Sequence, residues 1–321
     1  MNEHREAPMP LCDAHHHFLD ADRFYYPRLC DYPLGTFRNG SYDDYPRSYL
    51  PDDFKRDSRR QNVIASVHME CEWDPADPVG ETRFISGLAA DHGFPNGLVG
   101  RAFLDREDVQ DVLEGHAAFP LTRGVRHKPK TASSADGMRR NQPGSMDDKI
   151  WRDGYARLAA YGFSFDLQAP YWHFRQARDL ARDFPNTPLI LNHCGLPADR
   201  SATALEAWRK ELEYLAQEPN VNVKVSGIGV LGAEWTAALN RDIVLNTISI
   251  FGVDRCMVAS NWPADSLVAS SYDAIMNGFR EICAELPVDG QRKIFYENAM
   301  RIYRIDPSTV VRTSEQSATD I

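Results

Sequence analysis

The sequence lacks the cysteine pattern of a disulfide framework or a cysteine zinc site. Its six cysteines are scattered along 321 residues, and no two of them have the Cys-x-x-Cys spacing. Paired spacings are typical of small secreted domains and of structural zinc sites. We therefore expect reduced, mostly buried thiols of a cytoplasmic protein.

Long apolar runs and positive charge are also scarce. No stretch reaches the roughly 20 apolar residues of a transmembrane helix, and the first residues lack the apolar core of a signal peptide. The chain has 46 acidic and 36 basic residues, a net charge of −10. Nucleic acids and anionic membranes need a basic face, so we expect neither as a partner. A small molecule, including an anionic one in a local basic pocket, is the expected partner, and a homo-oligomer stays open.

Short apolar runs alternate with helical patterns along nearly the whole chain. The predicted strands are Leu11–His17, Val63–Cys71, Gly97–Phe103, Gly124–Lys128, Phe163–Gln168, Pro188–Cys194, Asn220–Gly227 and Arg255–Asn261. The predicted helices lie near 52–60, 79–92, 106–117, 147–160, 172–183, 201–217, 235–250 and 271–285. Eight strands alternating with eight helices predict an α/β fold, a single (β/α)8 TIM barrel over residues 1–306.

Two insertions and a tail depart from the repeating pattern. Residues 18–51 and 129–146 each follow the carboxyl end of a strand, where barrel enzymes build their sites, so we expect lids or pocket walls. A last helix, Gly290–Tyr303, is expected to pack against the barrel exterior. Residues 307–321 are polar and predict a disordered tail.

The most informative motif runs from Asp13 to His17 and reads Asp-Ala-His-His-His. In a regular strand, side chains alternate between two faces, which places Asp13, His15 and His17 together and His16 on the other side. Two imidazoles on one strand face can converge on one metal ion or one polarised oxygen. We expect this face to carry chemistry.

Three predicted strands have polar residues at alternate positions, which predicts a polar barrel interior. These residues are Ser66, His68 and Glu70 in strand two, Ser164, Asp166 and Gln168 in strand five, and Asn222, Lys224 and Ser226 in strand seven. Buried charges without partners cost several kcal/mol, on the order of the penalties known for unpaired ions. The residues should therefore pair with one another or line a wet pocket.

Further polar residues stand where strands end. His193 ends strand six, and Arg126 and His127 end strand four. Arg126 offers a planar fork for a carboxylate or an oxyanion. Strand eight ends with the amide of Asn261, and the carboxylate of Asp265 follows four residues later.

These motifs resemble those of the amidohydrolase superfamily, in particular its lactonase-like branch of pyrone-dicarboxylate and sugar-acid lactonases. The matching segments are D-A-H-H-H-F from Asp13, W-D-P-A-D-P-V-G-E-T-R from Trp73 to Arg83, G-V-R-H from Gly124, F-S-F-D-L-Q from Phe163, N-H-C-G-L-P from Asn192, V-K-V-S-G from Val223, S-N-W-P at 260–263 and E-N-A at 297–299. The resemblance implies a TIM barrel with its site at the strand carboxyl ends. It matches His15 and His17 to the family's strand-one pair and His193 to its strand-six histidine.

One position departs from the family pattern. Asn261 stands where the family usually has an aspartate that serves as metal ligand and general base. An amide cannot take a proton from water and is a weaker metal ligand. Gln168 stands where metal-rich relatives have a histidine or a bridging lysine, so a two-metal centre is not expected. The resemblance favours a site that requires no metal; the alternative is one zinc or manganese ion held by His15, His17 and His193.

The predicted activity is hydrolysis of a lactone that carries a carboxylate or hydroxyls. Water would attack the ring carbonyl, and His15, His17 and His193 would stabilise the oxyanion. Glu70 is the first candidate for the general base, before Asp265 and His193. The predicted substrate-binding residues are Arg126, His127, His68, Lys224, Gln168 and Tyr171.

Other functions remain open at this point. A cyclic amide hydrolase or a metal-dependent decarboxylase would use the same scaffold, although Asn261 counts against a decarboxylase with a firmly held metal. A non-catalytic relative that kept ligand binding and lost its base is the alternative from another class. Turnover of a lactone separates an enzyme from such a binding protein.

Overall fold

A computed structural model describes residues 8–310, and its main sheet is built from eight parallel strands. In chain order they are β1 (Leu11–His16), β2 (Val63–Met69), β3 (Gly97–Arg101), β4 (Thr122–Arg126), β5 (Ser164–Leu167), β6 (Leu189–Leu191), β7 (Val221–Val225) and β8 (Cys256–Val258). Each strand pairs with its neighbours in sequence. All eight predicted strands are confirmed, within a few residues at their ends.

The barrel closes at the carboxyl ends of β1 and β8. The backbone N–H of Asn261 donates to the His15 carbonyl at 2.8 Å, and the N–H of His17 donates to the Trp262 carbonyl at 2.8 Å. These bonds join the end of β1 and the residue after it to Asn261 and Trp262, in the segment that follows β8. The predicted (β/α)8 barrel is therefore confirmed, and its seam lies where the predicted site residues meet.

Helices cover the outside of the barrel between successive strands. The α-helices are α1 (Pro27–Cys30), α2 (Pro51–Ser58), α3 (Gly80–His92), α4 (Val109–Ala117), α5 (Lys149–Tyr155), α6 (Phe174–Asp183), α7 (Ala202–Leu215), α8 (Ala237–Phe251), α9 (Tyr272–Cys283), α10 (Val288–Arg292) and α11 (Asn298–Ile302). No helix within 8–310 is long and apolar enough to span a bilayer. Their inner faces share one core with the outward-facing side chains of the strands.

The first insertion is ordered by two small antiparallel ladders. Leu19–Asp20 pairs with Ser48–Tyr49, and Thr36–Phe37 pairs with Gly40–Ser41. The first ladder ties the two ends of the insertion together, and the second forms a hairpin between them. The first insertion is thus an ordered lid over the carboxyl end of the barrel.

The predicted inward face is correct for β5 and β7 and wrong for β2. Val67 and Met69 lie in the small cluster that fills the barrel interior with residues of β1, β3, β6 and β8. His68 instead stacks on Phe18 outside the barrel, and Ser66 bonds His16. Apolar and polar residues both alternate in this strand, so periodicity alone could not decide which set faces inward.

The prediction that Asp13, His15 and His17 share one face of β1 is wrong, because the strand contains a bulge. Asp13 pairs with Ser66, and His16 pairs with His68. Between these two pairs, β1 contains one residue more than β2. An extra residue in one strand reverses the alternation beyond it. Asp13 therefore points to the outer helix α9, where Tyr272 donates to it at 3.0 Å, while His15 and His17 face the barrel mouth.

The carboxyl-terminal helical segment closes the amino-terminal end of the barrel, which corrects the prediction that it packs on the exterior. The Tyr303 hydroxyl donates to both oxygens of Asp166 at 3.0 Å. Lys224 pairs with the same carboxylate at 2.8 Å and lies over the Tyr303 ring. The segment supplies the partner that this buried polar pair requires.

The beginning of the predicted tail is held by the barrel. Pro307–Thr309 forms a turn, and Asn96 donates to the Thr309 carbonyl at 2.8 Å. The remainder of the predicted tail, 311–321, lies outside the described residues.

Replacing Tyr303 by phenylalanine should destabilise the barrel floor. Tyr303→Phe removes one hydrogen bond that is shared between the two oxygens of a buried carboxylate, so we expect the free energy of unfolding to fall by about 1.5–3 kcal/mol, the range for a bond to a charged group. Urea denaturation measures this change. Tyr25→Phe is the matched control, because its bond to Asp31 is exposed, and it should change stability by less than about 0.5 kcal/mol. An equal loss of stability in the two variants would show that the Tyr303–Asp166 hydrogen bond does not stabilise the barrel.

Candidate active site

A pocket opens at the carboxyl ends of the strands, beneath the first insertion. Its volume is about 640 Å³, including the solvent at its mouth. The lining residues are His17, Leu19, Arg28, Leu29, Phe37, Arg38, Tyr42, Tyr45, Glu70, Cys71, Glu72, Arg126, Lys128, Gln168, His193, Asn261 and Ala264. Strand ends and the insertion thus build the site together, as the position of the insertion predicted.

His15, His17 and His193 converge at the base of this pocket. The ring centre of His15 lies 5.0 Å from that of His17 and 4.7 Å from that of His193. The first two follow the β1 bulge, and the third follows β6. The prediction from the family resemblance that strands one and six bring these three histidines together is in agreement with the structure.

All three imidazoles are held neutral. Burial is the main cause, and the charge of Lys224 adds to it in lowering the pKa of His15 well below its usual range. Burial and Arg126 lower the pKa of His17 to about 3. Burial and Arg38 lower the pKa of His193. Neutral imidazoles can accept a proton, which a protonated imidazole cannot.

Hydrogen bonds fix the orientation of two of these rings. His17 Nδ1 lies 2.8 Å from the Met69 carbonyl, which can only accept, so Nδ1 carries the proton and Nε2 is left as the acceptor. His193 Nδ1 bonds the Ser226 hydroxyl at 2.9 Å. Both nitrogens of His15 are buried and have no partner among the described residues. A substrate oxygen, a water or a cation would satisfy His15.

Backbone strain gathers at the same mouth. His193, Asn261 and Glu72 adopt left-handed φ values of 56°, 55° and 60°. Such values are unfavourable for residues with a Cβ and occur preferentially at functional sites. Here two of the three strained residues line the pocket with an imidazole or an amide.

Asn261 is oriented by Asp265, the second candidate for the general base. Its Nδ2 donates to Asp265 Oδ1 at 2.6 Å, and Asn39 donates to the same oxygen at 2.7 Å. Because the Nδ2 is used, the Asn261 carbonyl oxygen is the atom free to face the pocket. Asp265 is fully buried and does not line the pocket, so its contacts are those of a positioning residue and not of a base.

Glu70 lines the pocket as a tightly paired carboxylate. Arg126 Nε donates to its Oε1 at 2.6 Å, and the backbone N–H of Glu72 donates to its Oε2 at 2.7 Å. Burial alone would raise the pKa of Glu70, but Arg126, Arg101 and Lys128 together lower it below its usual range. A carboxylate whose two oxygens are both held by hydrogen bonds has no free lone pair aimed at a water and is a poor general base. The role predicted for Glu70 does not match these contacts.

The pocket carries a surplus of positive charge. Four cationic side chains line it (Arg28, Arg38, Arg126 and Lys128) against two carboxylates (Glu70 and Glu72), a difference of two charges. Glu72 contacts both Arg28 and Lys128. An acidic chain therefore has a basic pocket, which favours an anionic ligand.

Sequence reasoning missed most of the lid residues that line the pocket. Phe37, Arg38, Tyr42 and Tyr45 come from the first insertion. The aromatic and arginine content of that insertion was the available signal, but it could not show which of its side chains face inward. The second insertion contributes no lining residue and contacts the loop after β5, where Trp172 donates to the Ala132 carbonyl.

Four residues predicted to bind substrate lie outside the pocket lining. His127 Nδ1 accepts hydrogen bonds from Leu104 and Trp151, each at 3.0 Å, and faces away from the site. His68 lies outside the barrel because β2 has the opposite face inward. Lys224 lies in the floor beneath His15 with Asp166. Tyr171 packs on Trp172 in the loop after β5. Arg126 and Gln168 line the pocket as predicted.

A second cluster of ligand atoms is present beside the site, but its protons exclude a metal. His68, Cys71 and Glu81 have ligand atoms within 4.8 Å of one another. His68 Nδ1 accepts from the Phe18 N–H at 3.1 Å, so the ring proton is on Nε2, which lies 3.3 Å from Glu81 Oε1. A protonated Nε2 cannot bind a metal ion. The cluster is a hydrogen-bonded support under the pocket wall.

His15, His17 and His193 could share one cation only if their rings moved closer together, because among the described residues only His68, Cys71 and Glu81 have three ligand atoms within 4.8 Å of one another. The unpartnered nitrogens of His15 and the free Nε2 of His17 are suitable donors, and Asn261 adds an amide oxygen. Lys224, Arg126 and Arg38 are the charges that lower the histidine pKa values, and they also repel a divalent ion. We therefore expect weak metal binding.

Comparison with known proteins shows the family. The amidohydrolase family model matches residues 12–305. An amidohydrolase from Burkholderia multivorans, crystallised with bound zinc, superposes with a TM-score of 0.74 at 25% identity, over 94% of this chain and 100% of that one. The chain belongs to the amidohydrolase family.

Curated relatives give further similarity. An uncharacterised protein of Sinorhizobium fredii, y4mH, is 39% identical over 93% of this chain and 100% of its own length. An L-fucono-1,5-lactonase of Burkholderia ambifaria is 24% identical over 92% of this chain and 95% of its own length. The chain thus spans these relatives almost completely.

Metal analysis should find at most about one equivalent of transition metal in protein purified without chelator, as a three-histidine site allows. His15→Asn should remove any bound metal, because it deletes the imidazole between the other two. Cys71→Ser should leave the content unchanged, because its cluster has no free imidazole nitrogen. Two equivalents in the wild type, or loss of metal in Cys71→Ser alone, would contradict this assignment. Elemental analysis by mass spectrometry is the measurement.

Proposed function

We propose that this amidohydrolase hydrolyses the ring of a lactone that carries a carboxylate or several hydroxyls. The observation that carries the proposal is the meeting of three neutral imidazoles with a pocket whose cations outnumber its carboxylates. The relative named L-fucono-1,5-lactonase supports the lactone as the reacting group.

Substrate binding is assigned to the cationic and amide side chains of the pocket. Gln168 lies 3.5 Å from Arg126, and their polar groups face the pocket together. Lys128 and Arg28 lie across from them beside Glu72. These groups would hold a carboxylate or hydroxyls, while Tyr42 and Tyr45 of the lid cover the ring. Burial raises the pKa of Tyr42 to about 12, so its hydroxyl stays a donor.

Proton transfer is assigned to His17. Water attacks the ring carbonyl, and its proton needs an acceptor that Asn261 cannot be and that Glu70 is too firmly paired to be. His17 Nε2 is a free acceptor because Nδ1 donates to Met69. The protonated imidazole then returns the proton to the ring oxygen that leaves.

Stabilisation of the oxyanion, the negative charge that develops on the ring carbonyl oxygen, is assigned to His193 and Arg38. His193 and the Arg38 guanidinium both lie against the backbone at Gly227, and after burial the charge of Arg38 is the main influence that lowers the pKa of His193. This pair faces the carbonyl oxygen and would stabilise the oxyanion electrostatically.

Metal-independent hydrolysis is the version we favour. A divalent cation held by His15, His17 and His193 would polarise the ring carbonyl. One lone pair on His17 cannot hold a cation and accept a proton at the same time, so the two versions exclude each other. Full activity after exhaustive chelation is expected.

A panel of carboxylated, sugar and simple lactones, followed by proton release, tests the proposed reaction. We expect turnover of at least one lactone class, with anionic or polyhydroxylated members preferred. Cyclic amides and aromatic acids belong in the panel, because their exclusive turnover would identify an amide hydrolase or a decarboxylase. Thermal stabilisation by lactones without turnover would identify a binding protein and would refute the proposal.

The pH dependence of kcat/KM should lack the inflection of an ordinary histidine. The catalytic base must be unprotonated, and the pKa of His17 is lowered to about 3. Lowering the pH from 7.5 to about 5 should therefore leave kcat/KM nearly unchanged, whereas a base of pKa ≈ 6.5 would lose about tenfold per pH unit below that value. Initial rates in constant ionic strength buffers measure the profile. A tenfold fall per unit starting near pH 6.5 would rule out a buried neutral imidazole as the base.

Paired substitutions distinguish the two candidate bases. His17→Gln should lower kcat by about 100- to 10,000-fold, the usual cost of losing a general base. Glu70→Gln should act mainly on KM, because it leaves Arg126 without its partner, and its kcat should stay at least about tenfold above that of His17→Gln. Circular dichroism checks that both variants fold. A larger loss of kcat in Glu70→Gln would return the role of base to Glu70.

A further inference from the structure

A second cavity adjoins the active-site pocket beyond Arg38, which lines both. Its volume is about 560 Å³, including the solvent at its mouth. It is lined by Arg38, Leu196, Pro197, Ala198, Arg200 and residues 227–231. Two guanidinium groups therefore line a cavity that has no acidic side chain in its wall.

Arg200 is a half-buried cation with unused donors. Its Nη2 donates to the Ile228 carbonyl at 2.6 Å and to Asn240 Oδ1 at 3.3 Å. Its Nε and Nη1 are buried and have no hydrogen-bond partner within residues 8–310. Buried N–H donors without a partner are costly, so an acceptor that reaches these donors of Arg200 would be bound favourably.

Arg38 connects this cavity with the catalytic imidazoles. One of its nitrogens donates to the Gly227 carbonyl, and another lies 3.9 Å from Asp265. A Cβ built on Gly227 would overlap both the His193 imidazole and the Arg38 guanidinium. The glycine thus allows these two groups to meet against the backbone. A ligand held at His193 can extend past Arg38 towards Arg200.

We propose that the second cavity is an anion subsite that binds a carboxylate on the substrate's far end, away from the lactone ring. The proposal rests on the lactonase function above and narrows its substrate class to lactones with a carboxylate several bonds from the ring carbonyl. The carboxylate supplies the acceptor that Arg200 lacks, and Arg38 binds the segment between the two ends.

Binding of a small dicarboxylate tests the subsite without any turnover. We expect glutarate to bind the wild-type protein in calorimetric titration, with Arg200→Met weakening Kd by about 10- to 100-fold, the effect of losing a hydrogen-bonded charge. Arg209→Met is the matched control, since it removes the same charge from a neighbouring exposed position, and it should leave Kd unchanged. Because no reaction is measured, this result stands or fails independently of lactone hydrolysis.

A second pair of variants tests the subsite even if Arg200→Met does not fold. Val230 lines the cavity, so Val230→Glu should place a carboxylate beside Arg200 and weaken glutarate binding at least tenfold more than Val230→Gln. Equal Kd values in Val230→Glu and Val230→Gln would overturn the proposal, as would equal losses in Arg200→Met and Arg209→Met. Tight binding of inorganic phosphate with no binding of glutarate would also overturn it, because the site would then serve a free inorganic anion.

Steady-state kinetics test the same subsite during turnover. Among the lactones that the enzyme hydrolyses, Arg200→Met should raise KM for carboxylated members at least tenfold more than for uncharged ones. An equal rise for both classes would show that Arg200 only supports the loop through Ile228 and would overturn the proposed subsite.

Discussion

The carboxylate of Asp13 is the constraint on which the site depends. It accepts hydrogen bonds from the backbone N–H of Ser260 at 2.9 Å, the Ser260 hydroxyl at 2.6 Å and the Tyr272 hydroxyl at 3.0 Å. The N–H of His15 also donates to it, at 3.3 Å. One buried side chain thereby joins the first strand to the end of the last strand and to an outer helix. It also holds the bulge that turns both His15 and His17 to the mouth.

Barrel closure and the proposed catalysis use the same few residues because of this arrangement. The seam of the barrel runs through the backbones of His15, His17 and Asn261, so the backbone positions that carry the imidazoles cannot shift without opening the sheet. Such rigidity keeps the rings in place at the base of the pocket, where burial keeps them neutral. The strained backbone at His193 and Asn261 is tolerated because the surrounding barrel determines it.

Electrostatics divide the molecule into layers along the barrel axis. Lys224, Asp166 and Tyr303 form a floor in which the two opposite charges are paired. The uncharged imidazoles lie above it, and the cations of the strand ends and the lid form the top. Asp265 in turn orients Asn261 where the family usually has an aspartate. The result is a site with a surplus of positive charge at its rim and neutral imidazoles at its base.

The sequence alone determined the barrel and the identity of its key histidines. Eight apolar runs at helix-separated intervals leave little choice of fold, and the motifs that hold His15, His17, His193 and Arg126 stand at strand ends, which meet at one face in any parallel barrel. Tertiary structure decided which polar residues reach the pocket. A one-residue bulge in β1 turned both His15 and His17 to the mouth, because a shift of one residue changes the face of every side chain beyond it. The reversed face of β2 placed His68 outside the barrel, and Glu70, one residue beyond the end of β2, reaches the pocket, where Arg126 binds it. The lid cations and the cavity beside Arg200 come from segments without periodicity, whose course only long-range packing determines.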